Sequence, residues 1–237
     1  MLQGKTAFVT GGSRGIGAAI VRKLAAQGAR VTFTYNSSPD AARAVAEAAG
    51  NGARAVQLDV ADAGAVAAAV RGLGALDILV NNAGTFAPSP LAEATLETYD
   101  RTFAVNVRGV VAAVIEAAKI MPDGGRIITV GSVNGEVAAI PGAAIYAGSK
   151  AAVRMLTKGW ARDLGERGIT VNVVQPGPID TEMNPAQGPF AELLTGLTAL
   201  KRYGKAEDVA ELVAFLAGPG AGNITGAALT TDGGFTA

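Results

Sequence analysis

The sequence predicts an α/β fold: one doubly wound domain with a mostly parallel seven-stranded sheet and helices on both faces. Three observations point to it. Short apolar runs alternate with longer stretches of helical periodicity along the whole chain. Glycine is abundant, 32 of 237 residues, which suits many tight strand-to-helix turns. No linker, low-complexity tract or break in composition interrupts the alternation, so residues 1–237 read as a single domain.

The elements follow in order. Lys5–Thr10 (KTAFVT) is a short apolar strand running into Gly11-Gly12-Ser13-Arg14-Gly15-Ile16-Gly17, and Ala18–Gln27 is a helix ended by Gly28. Arg30–Thr34 is the second strand. Ser38-Pro39-Asp40 supplies an N-cap and a first-turn proline for an Ala-rich helix to about Ala49. Strand Arg54–Leu58, helix Asp62–Arg71 and strand Leu76–Val80 come next. A proline-bearing loop, Phe86–Pro90, leads to helical periodicity over Leu96–Ile120. Arg126–Val130 is a strand, Ala144–Leu164 a long helix and Thr170–Val174 a strand. In the long helix Ala152, Leu156, Trp160 and Leu164 form an apolar stripe expected to face the core. Asp180–Tyr203 breaks the rhythm with a short amphipathic piece at Phe190–Leu200, as substrate lids often do. A helix, Ala206–Ala217, and a last strand, Ala227–Thr231, complete the pattern.

Composition removes several chemistries. The chain has no Cys and no His, so disulfides, thiol nucleophiles, Ser-His pairs and zinc or copper sites of the nitrogen–sulfur type are excluded. Proton transfer must come from Tyr, Lys, Ser, Asp or Glu. A formal charge of zero and the lack of a basic run argue against a nucleic-acid polymer as partner. No signal-peptide pattern or membrane-length apolar run is present, so the expected location is cytoplasmic, away from membranes.

Three stretches carry chemistry. Gly11, Gly15 and Gly17 follow a strand and open a helix, where a pyrophosphate can sit against the helix N-terminus; a tight turn with no ligand is the alternative. After the second strand, Tyr35, Asn36, Ser37 and Ser38 include no carboxylate for a ribose 2′-hydroxyl, while Arg14 can grip a 2′-phosphate. That pattern favours NADPH/NADP+ over NADH. Tyr146 and Lys150, four apart, lie on one helical face. An adjacent ammonium is expected to lower the phenol pKa toward neutrality and make the pair an acid/base; taken alone, the spacing marks an ordinary solvated helix pair far more often than a site.

The octapeptide Thr10–Gly17, Asn81-Asn82-Ala83-Gly84, Asn106, Ser132, Tyr146-x-x-x-Lys150 and Pro176-Gly177, in register along the chain, resemble the classical short-chain dehydrogenase/reductase family. Within it the chain is similar to 3-oxoacyl-carrier-protein reductases. Gly131–Gly135 and Val173–Pro185 look closer to the bacterial cyclic-di-GMP-binding biofilm dispersal mediator proteins. The resemblance implies a Rossmann-type domain that reduces a ketone or aldehyde with NADPH. Tyr146 would be the general acid, Lys150 would lower its pKa and bond the nicotinamide ribose, and Ser132 would bond the substrate oxygen. Asn106 would hold a water for proton exchange with Lys150. Gly11, Ser13, Arg14, Ile16, Gly17, Tyr35, Asn36 and Ser37 would hold the diphosphate and adenosine ribose, and Asp59 and Val60 the adenine. Asn82, Ala83, Gly84, Pro176, Gly177, Ile179 and Thr181 would line the nicotinamide side.

The resemblance also implies a homo-oligomer, a tetramer or dimer built on the two long helices. A rival reading is a sensor that sequesters cyclic-di-GMP on the same fold. Two departures from the family stand out. Ser132 and Tyr146 are fourteen apart, one more than in many members, so the loop Val133–Ala144 is expected to place substrate differently. Thr231 precedes Asp232-Gly233-Gly234, and Asn184 and Pro185 sit in the expected lid, where they name no substrate.

Overall fold

A computed structural model describes residues 1–237. The strands are β1 (Thr6–Val9), β2 (Arg30–Tyr35), β3 (Arg54–Gln57), β4 (Ile78–Asn81), β5 (Arg126–Val130), β6 (Thr170–Pro176) and β7 (Ala228–Thr231). They form one seven-stranded sheet in the order β3-β2-β1-β4-β5-β6-β7, every pair parallel. The helices are α1 (Gly15–Ala26), α2 (Pro39–Ala49), α3 (Ala63–Arg71), α4 (Leu96–Phe103), α5 (Gly109–Ile120), α6 (Ala144–Asp163), α7 (Ala191–Leu197) and α8 (Ala206–Ala217). This is the doubly wound Rossmann-type arrangement that the alternation predicts.

The sheet separates two cores. Alternate strand residues point to opposite faces, so Ala7, Val9, Ile78, Val80 and Ile128 join α1, α2 and α8 on one side. Phe8, Leu79 and Ile127 join α3, α5 and α6 on the other. Burial on both faces explains why the central strands read as unbroken apolar runs rather than as alternating ones. The winding direction reverses between β1 and β4, and there the carboxyl ends of the strands splay into a crevice.

Four local readings change. First, α1 begins at Gly15, so the last glycines of the turn belong to the helix's first turn. Second, Ser38 makes no side-chain cap bond to α2; Asp62 does cap α3, accepting from Ala65 N at 3.0 Å. Third, the helical stretch from Leu96 to Ile120 is broken by a π turn at Ala104–Arg108, which leaves α4 and α5 distinct. Fourth, α6 turns another face inward. Ala147, Lys150, Val153, Thr157 and Ala161 are buried, whereas Ala152, Leu156, Trp160 and Leu164 are half-buried along its flank. A stripe chosen by apolarity passes over Lys150 and Thr157, whose polar atoms bond Val130 O and Val153 O inside the fold.

Candidate active site

The crevice holds about 660 Å³ and runs along the carboxyl edge of the sheet. At one end the chain leaves β1 and turns toward α1. Gly11 N–H donates to Thr34 Oγ1 at 3.0 Å and Gly12 N–H to Thr34 O at 2.8 Å, which ties the turn to β2. From the end of β4, the Asn82 side-chain amide donates to Thr10 O at 3.0 Å and Gly11 O at 2.9 Å. A Cβ on Gly17 would lie 2.0 Å from Gly11 O and 2.5 Å from Asn82 Nδ2, so only glycine lets the helix start this close to the strand. Arg14 makes no cap bond and the first turn of α1 carries no carboxylate. The leading amides and the positive end of the helix dipole are therefore available to an anion. With Tyr35, Asn36, Ser37 and Arg14 along the same wall and no carboxylate at the end of β2, the residues fit a phosphorylated dinucleotide.

Asp59 and Val60 line the crevice beyond β3. Asp59 accepts from Ala61 N at 2.9 Å and pairs with Arg101 of α4 at 3.1 Å, a partner that strand and turn motifs do not reveal.

The centre is built from β5 and α6. Ser132 follows β5 at the start of a 3-10 turn, and Asn134 N–H donates to its Oγ at 3.1 Å. One acceptor site on the hydroxyl is thereby filled, and its hydrogen is left to donate elsewhere. Tyr146 and Lys150 sit one turn apart on α6, and the Lys150 Nζ lies 5.7 Å from the Tyr146 ring centroid. Nζ also donates to Val130 O at 3.0 Å.

The electrostatics differ from the sequence expectation. Burial pushes the Tyr146 phenol up from its ordinary value, and a hydrogen bond with Ser132 offsets only part of that. Burial also drives Lys150 down to about 8. The ammonium sits over the ring and against a carbonyl oxygen, and loss of water decides the direction of both shifts. Tyr146 is thus held as the protonated phenol near neutrality, the form a general acid requires.

Asn106 lies behind the crevice wall, 1% exposed. Its side-chain amide donates to Thr85 O and to Ser149 Oγ, each at 3.0 Å, and its Oδ1 accepts from Thr85 N at 2.9 Å. The amide thus clips the segment after β4 to α6. Asn106 Oδ1 and Lys150 Nζ both flank Gly84, 3.5 and 3.4 Å from where its Cβ would stand.

The far end is apolar. Phe86 packs edge-on against Tyr146, with ring centroids 5.0 Å apart and planes at 71°. Pro185, Phe190 and Leu194, from the segment after β6, and Phe235, after β7, add apolar lining to the crevice. Asp180 N–H donates to Gly204 O and Gly204 N–H to Pro178 O, both at 2.9 Å, which cinches the base of the 180–203 segment. Leu200 N–H donates to Gly233 O at 2.9 Å and ties that segment to the chain after β7.

Gly11, Ser13, Arg14, Ile16, Gly17, Asn82, Ala83, Gly84, Ser132, Tyr146, Lys150, Pro176, Gly177, Ile179 and Thr181 all line this one crevice, and Asn106 alone of the expected site residues stands outside its wall. Sequence reasoning missed Phe86, Arg101 and Phe235, which belong to no spaced motif, and gave no role to Asn134 and Glu182, although both lie in the quoted segments Gly131–Gly135 and Val173–Pro185.

A family model described as enoyl-(acyl carrier protein) reductase matches residues 11–236. The chain is 52% identical over 234 residues to the cyclic-di-GMP-binding biofilm dispersal mediator protein of Escherichia coli (strain K12), covering 99% of this chain and 98% of that one. A solved short-chain dehydrogenase/reductase from Serratia marcescens BCRC 10948 matches at 58% identity with a TM-score of 0.97, over 100% of this chain and 99% of the other. A blue fluorescent protein from a metagenomic library, solved in complex with NADPH, matches at 54% identity with a TM-score of 0.97 over the same shares.

Proposed function

The chain belongs to the short-chain dehydrogenase/reductase family, and from that premise we propose that it reduces the carbonyl group of a small ketone or aldehyde to the alcohol with NADPH. It is an NADP-dependent oxidoreductase. The observation that carries the finer reading is the meeting of Ser132, Tyr146 and Lys150 midway between a phosphate-fitting end and an apolar end of one crevice.

When bound, NADPH supplies the hydride. The protein's part is to hold both molecules and to move a proton. The amides opening α1 take the diphosphate, Arg14 and Ser37 the 2′-phosphate, and Asp59 and Val60 the adenine. Lys150 bonds the nicotinamide ribose. Ser132, its hydroxyl oriented by Asn134 N–H, donates to the substrate oxygen as negative charge builds there. Tyr146, kept protonated by burial, gives that oxygen its proton. A water on Asn106 Oδ1, beside Lys150, returns protons to the pair. Residues 180–203 close over the substrate as a lid. Falling NADPH absorbance across a panel of ketones and aldehydes tests the reading, and no turnover of any member would refute it.

A second reading rests on the Escherichia coli relative, whose name records cyclic-di-GMP binding. A crevice that fits two phosphates and a purine suits such a ligand, and sequestration does not require Tyr146. Calorimetry with cyclic-di-GMP, with and without NADPH, separates the two readings: tight binding in a protein that reduces no carbonyl favours the sensor.

We also assign the apolar flanks of α5 and α6, where Ile115 and Met155 are 50% and 64% exposed, to contacts between copies in a tetramer or dimer. Light scattering that returns a single-chain mass would refute that assignment.

A further inference from the structure

We propose that the carbonyl compound is uncharged and flat, of the aryl-ketone type, and not a carboxylated substrate or an acyl thioester borne on a carrier protein. The inference rests on the reductase reading above and names its substrate class.

Aromatic residues carry the first part of the argument. Three of the chain's seven phenylalanines, Phe86, Phe190 and Phe235, line this crevice. They come from three separate segments: the loop after β4, the lid, and the stretch after β7. Phe86 already meets the Tyr146 ring edge-on at 5.0 Å. A substrate ring beside the proton donor extends that arrangement, since offset and edge-to-face aromatic contacts add to simple apolar burial. Pro185, from the same segment as Phe190, also lines the crevice and restricts the backbone there, and a flat ring offers such aromatic side chains the most contact.

Charge carries the second part. The charged residues lining the crevice are Arg14, Asp59, Arg101, Lys150 and Glu182. Arg14 pairs with Glu182 and Arg101 with Asp59, both at 3.1 Å, while Lys150 Nζ is bonded to Val130 O. No cation remains at the apolar end to neutralise a carboxylate, and burying one unpaired is costly. From Asp180 to Leu200 the chain holds Asp180, Glu182 and Glu192 and no Lys or Arg; Lys201 and Arg202 come at the base of the segment, where their side chains bond Gly196 O and Tyr203 O. An acidic carrier protein, or the phosphodiester of a carrier arm, meets like charge at the mouth.

The test compares NADPH-dependent kcat/KM for acetophenone, 4-acetylbenzoate, 2-octanone and an acetoacetyl thioester of acyl carrier protein. Acetophenone is expected to exceed each of the others by about tenfold or more, and Phe86→Leu or Phe190→Leu to shrink its lead over 2-octanone to roughly threefold. Calorimetry should likewise show 1-phenylethanol binding more tightly than 2-octanol to the wild-type protein, and that difference should fall in the same variants. Equal or better turnover of 4-acetylbenzoate, 2-octanone or the thioester overturns the inference while leaving the reductase reading standing. Turnover of none of the four overturns both.

Discussion

Arg14 Nη1 donates to Glu182 Oε2 at 3.1 Å, joining the turn before α1 to the 180–203 segment across 168 residues of chain. Both side chains are well exposed, so the pair itself is weak. Its interest is competition, because the guanidinium that would hold a 2′-phosphate is shared with the Glu182 carboxylate.

Arg14→Ala should weaken NADPH binding by about 10- to 100-fold, the worth of hydrogen bonds to a charged group, and change NADH binding by no more than about threefold. Glu182→Gln should tighten NADPH by up to about fivefold by removing the competitor. Dissociation constants for the two nucleotides decide it; equal losses for both in the Arg14 variant would contradict the assignment.

Tyr146→Phe keeps the ring against Phe86 and removes only the hydroxyl. The carbonyl reduction rate should fall by roughly 10²- to 10⁴-fold, the usual contribution of a positioned general acid. The NADPH dissociation constant should stay within about threefold. A variant that retains more than a tenth of wild-type kcat would show that the phenol is not the proton donor.

Lys150 links the site to stability. Its pKa in the folded chain is about 8, against 10.5 in its unperturbed state. Below pH 8 the lysine is charged in both folded and unfolded chains and the full burial penalty applies. Between about pH 8 and 10.5 the unfolded chain binds more protons, so stability rises with pH. From about pH 10 Tyr146 opposes this rise, since its pKa is raised and the unfolded chain ionises its tyrosine first, and beyond 10.5 its effect alone remains. Lys150→Met should stabilise the protein without added nucleotide at pH 7 by on the order of 3 kcal/mol while abolishing turnover. Denaturant melts at pH 7 and pH 10 measure this. A variant no more stable than wild type at pH 7 would mean that burial does not strain this lysine.

Gly135 sets the seat of Ser132. A Cβ there would stand 2.9 Å from the backbone carbonyl carbon of Lys150 and 3.0 Å from its oxygen. The 3-10 turn that carries Ser132 and the helix that carries Tyr146 therefore touch through this glycine. Gly135→Ala should cost about 1–3 kcal/mol in urea melts and lower kcat by about tenfold or more, with KM for NADPH little changed. An alanine variant of wild-type activity would show that the two elements need not touch so closely.

The strand and helix order was legible because a sheet buried on both faces writes itself as apolar runs, and the crevice end of each strand could be named from its glycines and asparagines. The face of α6 was not legible. Its inner side carries Lys150 and Thr157, which a search for apolar periodicity discards, although each finds a carbonyl partner inside. The π turn beside Asn106 likewise leaves no mark in the periodicity of 96–120. Spacing brought Tyr146 and Lys150 together correctly but gave the wrong sign for the phenol, because neighbours in sequence do not report how much water a folded wall excludes. Phe235 and Arg101 reach the crevice through tertiary packing alone.

The crevice runs across part of the sheet's carboxyl edge. The residues after β2 and those after β5 are three strand spacings apart, about 14 Å. At that separation substitutions act independently, each shifting free energy without disturbing the other. Ser37, after β2, and the loop after β5 are therefore two separate dials: an engineer could retune nucleotide choice at the one and substrate range at the other and expect the effects to multiply, whereas Arg14, paired with Glu182, touches both.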